Sequence, residues 1–162
     1  MKFRLALATL LVSVFMGGCA SRPPMNFSVP NVGVTQKKID AELKSMTVTI
    51  ARPEEKTGDL PAGMEQVVPQ LWQTALTEAL NKMAIFQDDA SKKVNLSVKV
   101  LKLEIPTFAA GMTTKTAARY EIMDRKSGDL IYAQDIPSVG EVPWDYAFEG
   151  ITRMRESVNR AV

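Results

Sequence analysis

The 162-residue chain has no histidine and one cysteine, Cys19. That removes histidine general bases, Ser-His-Asp and Cys-His machinery, zinc sites built from His and Cys, and any intrachain disulfide. Long apolar runs are also scarce. The one that exists, Leu5 to Met16, is broken only by Thr9 and Ser13, and twelve residues make about 18 Å of helix against the ~30 Å a membrane span needs. No G-x-G-x-x-G or G-K-[ST] element occurs, so a phosphate cradle has no support. Charge of one sign is lacking too. The 20 Lys and Arg face 18 Asp and Glu, and without Lys2 and Arg4 the remaining 18 basic side chains balance the acids, so nucleic acid is not an expected partner. What is present, 46% hydrophobic residues with 9 Gly and 9 Pro, is the composition of one ordinary folded domain.

The N-terminus indicates location. Lys2 and Arg4 form a basic start, Leu5 to Met16 an apolar stretch of secretory length, and Met16-Gly17-Gly18-Cys19 closes it. These four residues resemble the lipobox of bacterial lipoproteins. The resemblance implies cleavage between Gly18 and Cys19, a diacylglycerol on the Cys19 sulfur and an acyl chain on its new amine; no other cofactor and no metal is expected. Three acyl chains make attachment effectively permanent. Met16 departs from the usual leucine. Ala20 and Ser21 follow where an inner-membrane retention signal would place aspartate, which implies an outer-membrane lipoprotein facing the periplasm of a Gram-negative cell. The expected organisation is a signal peptide over 1–18, an acylated cysteine and tether over 19–36, and a single domain over 37–162 whose last helix reaches Val162 without a stop signal, as if the natural chain continued.

Pro23, Pro24 and Pro30 exclude a helix or central strand from the tether; fully extended, residues 20–36 reach about 56 Å. Phe27, Val29, Val32 and Val34 leave an edge strand along the domain as an equal alternative. Alternating apolar residues predict a strand over 42–51 and another from Val94, whose parity changes near Val100-Leu101 and requires a bulge. Between them, Val68, Leu71, Trp72, Ala75, Leu76, Ala79, Leu80 and Met83 recur at helical spacing, with Pro69 tolerable only in the first turn. Strands over 113–124 and 130–138 flank the polar turn at 125–128. Asp145 is the expected N-cap of a last helix with Phe148, Ile151, Met154, Arg155 and Val158 along one stripe. The predicted fold is α+β: a two-layer sandwich with a mainly antiparallel sheet of about four strands and two amphipathic helices on one face, in the order β-α-β-β-β-α.

With the lipobox, this element order resembles small Gram-negative envelope lipoproteins such as the YajG-like family and the auxiliary lipoproteins of ABC transport systems, carried by Trp72 to Leu80, Val94 to Ile105 and Tyr120 to Tyr132. It implies a non-enzymatic accessory role and transfers no functional motif. The expected docking surface for an envelope protein or complex is the apolar hairpin tip with Phe108 and Met112, continued by Thr114 and Thr116 on an expected sheet edge. A homo-oligomer by edge pairing is a further possibility of such an edge. An alternative is a carbohydrate-directed protein that binds or hydrolyses peptidoglycan with Trp144 and Tyr146 beside Glu141, Asp145 and Glu149. In the plainer reading Asp145 caps the helix and Trp144 packs where it starts. No catalytic residue is assigned.

Overall fold

The computed structural model describes residues 26–27, 29–107 and 110–162. Signal, lipobox and Cys19 lie outside them, as does Phe108. Strand β1 (Glu42–Ile50) leads through helix α1 (Val67–Met83) to β2 (Lys93–Glu104), followed by β3 (Met112–Asp124), β4 (Leu130–Val142) and helix α2 (Gly150–Ala161). The sheet order is β1-β2-β3-β4. The crossover through α1 makes β1 and β2 parallel, and the two hairpins make the remaining pairs antiparallel. The predicted α+β order is therefore the observed one.

One row across the sheet is Val48, Val98, Tyr120 and Gln134. The face it belongs to carries the core: Val48, Leu96, Val98, Val100, Leu103 and Ala118 meet Val68, Trp72 and Ala75 of α1 and Val158 of α2. Each such side chain removed from water contributes about 1.5–3 kcal/mol for a Val or Leu. The expected parity change is a register shift between Val100 and Lys102. It turns Leu101 to the far side, into a small cluster with Ala51 and Ala117, while Leu103 returns to the main core. The loop after β1 follows this stretch: the Thr57 amide donates to the Leu101 carbonyl and the Leu103 amide to that of Asp59.

Three expectations about the C-terminal half are corrected. Met112, Thr114 and Thr116 are buried, because β3 is an interior strand and the edges are β1 and β4. Their polar atoms serve the helix layer. Thr114 Oγ1 is 2.7 Å from Ser157 Oγ, and Thr116 Oγ1 donates to the Ala161 carbonyl at 2.6 Å. Helix α2 starts after Glu149 rather than Asp145 and buries Ser157, Val158 and Ala161, so Phe148 lies outside its stripe. Small residues dominate that face because helix and sheet approach closely: a Cβ on Gly140 would collide with the Ser157 carbonyl and lie 2.7 Å from the Ala161 amide nitrogen. Strand β4 also runs four residues beyond the expected Ser138. At about 3.3 Å per residue it is more than twice as long as the ~18 Å helix that covers its end. Tyr132 and Ile136 on the helix-bearing face are accordingly exposed; Val139 is exposed on the other face, and Leu130 and Ile131 at the start of the strand are exposed too.

The described residues before β1 form neither a free tether nor a strand. Phe27 is 7% exposed and meets Trp72 edge-on, centroids 5.9 Å apart and planes at 86°. Val29 and Pro30 lie against Trp72, Leu76 and Val162 around a cavity of about 80 Å³. Farther along, the Thr35 amide donates to the Met83 carbonyl and that of Ile39 to Ile85. From Thr35 back to Phe27 the chain thus retraces α1 from its last turn toward its first.

Candidate functional site

At one end of the sheet the β2–β3 hairpin, the end of β4 and the first turn of α2 come together, since Met112 pairs with Val142 and lies 3.8 Å from where a Gly150 Cβ would stand. The connection from β4 to α2 leaves this end carrying three aromatic residues. Trp144 is 71% exposed, Phe148 fully exposed and Tyr146 about half. Apolar side chains normally retreat from water, and here the backbone prevents it. Arg153 reaches back from α2 and its guanidinium donates to the Ala147 carbonyl and, at 3.0 Å, to that of Phe148. The loop is pinned from below with its rings outward. An open groove of about 560 Å³ is lined by Ala110, Trp144, Asp145, Ala147, Phe148 and Arg153. Trp144 therefore does not pack at the start of the helix as expected.

Tyr146 is placed differently from Trp144. The Arg160 guanidinium lies over its ring, 5.3 Å from the centroid, and is held there by Glu156 Oε1 at 2.8 Å and the Glu141 carbonyl at 2.8 Å. The charged partner occupies a face a sugar would need. Phe148 and Arg153 are the residues of this end that sequence reasoning did not single out. Helical spacing predicts Phe148 on the buried stripe, and nothing in a linear sequence marks an arginine that will bind two carbonyls of the preceding loop.

The opposite face of the sheet is polar and laced with ion pairs. Arg119 holds Asp135 bidentately, Nε at 2.6 Å and Nη2 at 2.9 Å. Glu55 takes Arg52 at 3.1 Å and Lys99 at 3.2 Å; hydrogen bonds from Arg52 first, then Lys99, lower its carboxyl to about 2. Asp135 is lowered by Arg119, Glu42 by Lys44 and then Lys93, and Asp124 by the backbone amides of Ser127 and Lys126. All four shifts favour the ionised form, whereas a general acid needs the reverse. Among the described residues no three His, Cys, Asp or Glu converge as metal ligands, and no helix is long and apolar enough to cross a membrane.

No protein-family model and no curated protein matches the chain. Solved structures do. Protein XCC0632 from Xanthomonas campestris, of family DUF330, superposes with a TM-score of 0.60 over 84% of this chain and 86% of its own, at 8% identity. The likeness is one of fold. Looser superpositions link the chain to lipoprotein GNA1162 from Neisseria meningitidis (TM-score 0.38, 12% identity, 60% of this chain and 83% of that one) and to the PelC dodecamer from Paraburkholderia phytofirmans (TM-score 0.39, 12% identity, 81% and 90%).

Proposed function

We propose that the chain is a lipid-anchored, non-catalytic lipoprotein of the cell envelope, acylated at Cys19 after cleavage behind Gly18 and holding its α+β domain in the periplasm at the outer membrane. The observation that carries this reading is that the chain's only cysteine ends its only long apolar run, at Met16-Gly17-Gly18-Cys19. The absence of histidine supports a binding role over catalysis, and the carboxyl groups of Glu42, Glu55, Asp124 and Asp135 are held in the ionised form by their partners. A protein partner in the envelope is met at the exposed edge of β4, where Leu130 to Val139 offer backbone groups for strand addition. Such an edge also admits a second copy of the chain. Pro137 removes one donor from it and limits how far pairing extends.

The test is direct. Palmitate labelling and mass spectrometry of the native protein are expected to show a chain that starts at Cys19 and bears acyl groups, and Cys19→Ser is expected to release the domain from membranes. A native chain that starts elsewhere or carries no acyl group refutes the proposal. The second reading, a glycan-directed protein, draws on the exposed Trp144 ring but is weakened by Arg160 over Tyr146. It predicts loss of peptidoglycan pull-down in Trp144→Ala with the fold intact by circular dichroism.

A further inference from the structure

We infer that the aromatic loop Trp144 to Phe148 is a membrane-contacting tip that inserts into the interface of the same bilayer that holds the acyl chains, an inference that rests on the anchoring proposed above. The course of the N-terminal chain carries it. From Thr35 at the last turn of α1 the chain runs back to Phe27 against Trp72, five residues into the helix. At 1.5 Å per residue that point lies about 8 Å from the helix's first residue. The first residue of α1 lies at the end of the molecule where β1, β2 and β4 finish and α2 starts, the end that carries Trp144 and Phe148. Eight residue steps lead from Cys19 to Phe27, a reach of about 27 Å at full extension. A chain heading toward the aromatic end reaches it with length to spare. To bring the opposite end to the lipid it would have to double back along α1 from Trp72 to Met83, about 17 Å, reversing the direction in which it leaves Thr35.

Chemistry selects lipid over a charged partner. Trp144, Tyr146 and Phe148 have the amphipathic and apolar character that settles at the boundary between headgroups and acyl chains. Asp145 and Glu149 stand among them, so attraction to anionic lipid is not the source of contact, and insertion is expected to be insensitive to salt. The loop is also prepared for exposure, since Arg153 fixes its carbonyls whether or not lipid is present. Anchor and tip together hold the domain with the free edge of β4 upright from the membrane, open to a periplasmic partner.

The mature chain, purified from membranes and checked by mass spectrometry for acylation, is reconstituted into vesicles of phosphatidylethanolamine with a minority of phosphatidylglycerol, with and without bromine on the upper acyl chains. Trp144 emission is expected to shift to the blue and to lose most of its intensity in brominated vesicles, equally at low and high salt. Trp144→Phe leaves only Trp72, buried at 4% exposure, and is expected to abolish the quenching without altering the circular dichroism. An acylated, vesicle-bound chain whose Trp144 is not quenched overturns the tip and leaves the anchor standing. Trp144 shielded from aqueous iodide but untouched by brominated lipid identifies a protein contact, a second copy or a partner, and likewise overturns it. A chain without acyl groups overturns anchor and tip together.

Discussion

Replacing Phe27 by alanine separates the stability of the domain from the length of its leash. The ring is 7% exposed and packs edge-on against Trp72; buried Phe→Ala changes cost about 3–5 kcal/mol, and an edge-on aromatic pair adds about 0.5–1.5 kcal/mol beyond its buried area. Here the loss is capped. The segment can leave the domain as a unit, and what holds it apart from Phe27 is Val29, Pro30 and the Thr35 amide on Met83. We therefore expect the lower end, about 3 kcal/mol, to be expressed as local release rather than global unfolding. By the relation of about 1.4 kcal/mol per tenfold, exchange of the Thr35 amide should accelerate about a hundredfold. The urea midpoint of the β-sheet should fall by much less.

Release has a functional counterpart. With Phe27 seated, Cys19 lies within about 27 Å of the domain surface, and with the segment free as far as Thr35 the limit becomes about 55 Å. Hydrogen exchange followed by mass spectrometry on the domain from Ala20 onward measures the first quantity, and urea unfolding by circular dichroism the second. An unchanged Thr35 exchange rate in Phe27→Ala, with a global loss under about 1 kcal/mol, would show that the ring contributes little to docking and would refute the short-leash argument.

Four further substitutions test the packing and the charges. Gly140→Ala pushes a Cβ into the Ser157 carbonyl and Ala161 amide, and since backbone rather than a flexible side chain must yield, a loss of about 2–3 kcal/mol in urea unfolding is expected. A neutral outcome would mean that α2 is not seated as described. Thr116→Val keeps the shape but strips the Ala161 carbonyl of its buried donor; about 1–3 kcal/mol should be lost, more than in Thr114→Val, whose partner Ser157 still donates to the Met154 carbonyl at 2.7 Å. Glu55 carries a carboxyl lowered to about 2 from an ordinary value near 4.5. Its folded-state pKa lies below the unfolded one, so its contribution is complete above about pH 4.5 and is lost as pH falls toward about 2. Glu55→Gln should flatten the decline of the melting temperature across that acid window, and added salt should shrink the difference between the two proteins.

The elements were legible because their signals are local. Alternation in Glu42–Ile50 and Lys93–Glu104 and the helical period of Val67–Met83 follow from which face is buried, and the parity change at Val100-Leu101 by itself requires a bulge. What failed was the reading of polarity. Thr113 to Thr116 look like a sheet edge because threonine is β-prone and hydrophilic, yet Thr114 and Thr116 lie under α2. A close helix–sheet contact made from Gly140, Ser157 and Ala161 excludes large side chains and leaves hydroxyls as the partners for buried polar groups. Edge and tight interface draw on the same residue types, and only the strand order tells them apart.

The tip failed for the opposite reason. Phe148 and Trp144 have the hydrophobicity of core residues, and a helical period that extrapolated back through Ile151 enrolled Phe148 in the buried stripe. The helix instead begins at Gly150, because Arg153 spends its guanidinium on the carbonyls of Ala147 and Phe148 and holds them outside the helical ladder. A neutral side chain at 153 removes that restraint, and the loop then has the freedom to turn its rings toward Met112. Arg153→Met, which keeps the apolar stem, is therefore expected to lower Trp144 accessibility to iodide while leaving the far-ultraviolet circular dichroism unchanged. Equal accessibility in the variant would mean that the rings face outward for reasons other than this clamp, and that the exposed tip is set by the strand geometry of β4 alone.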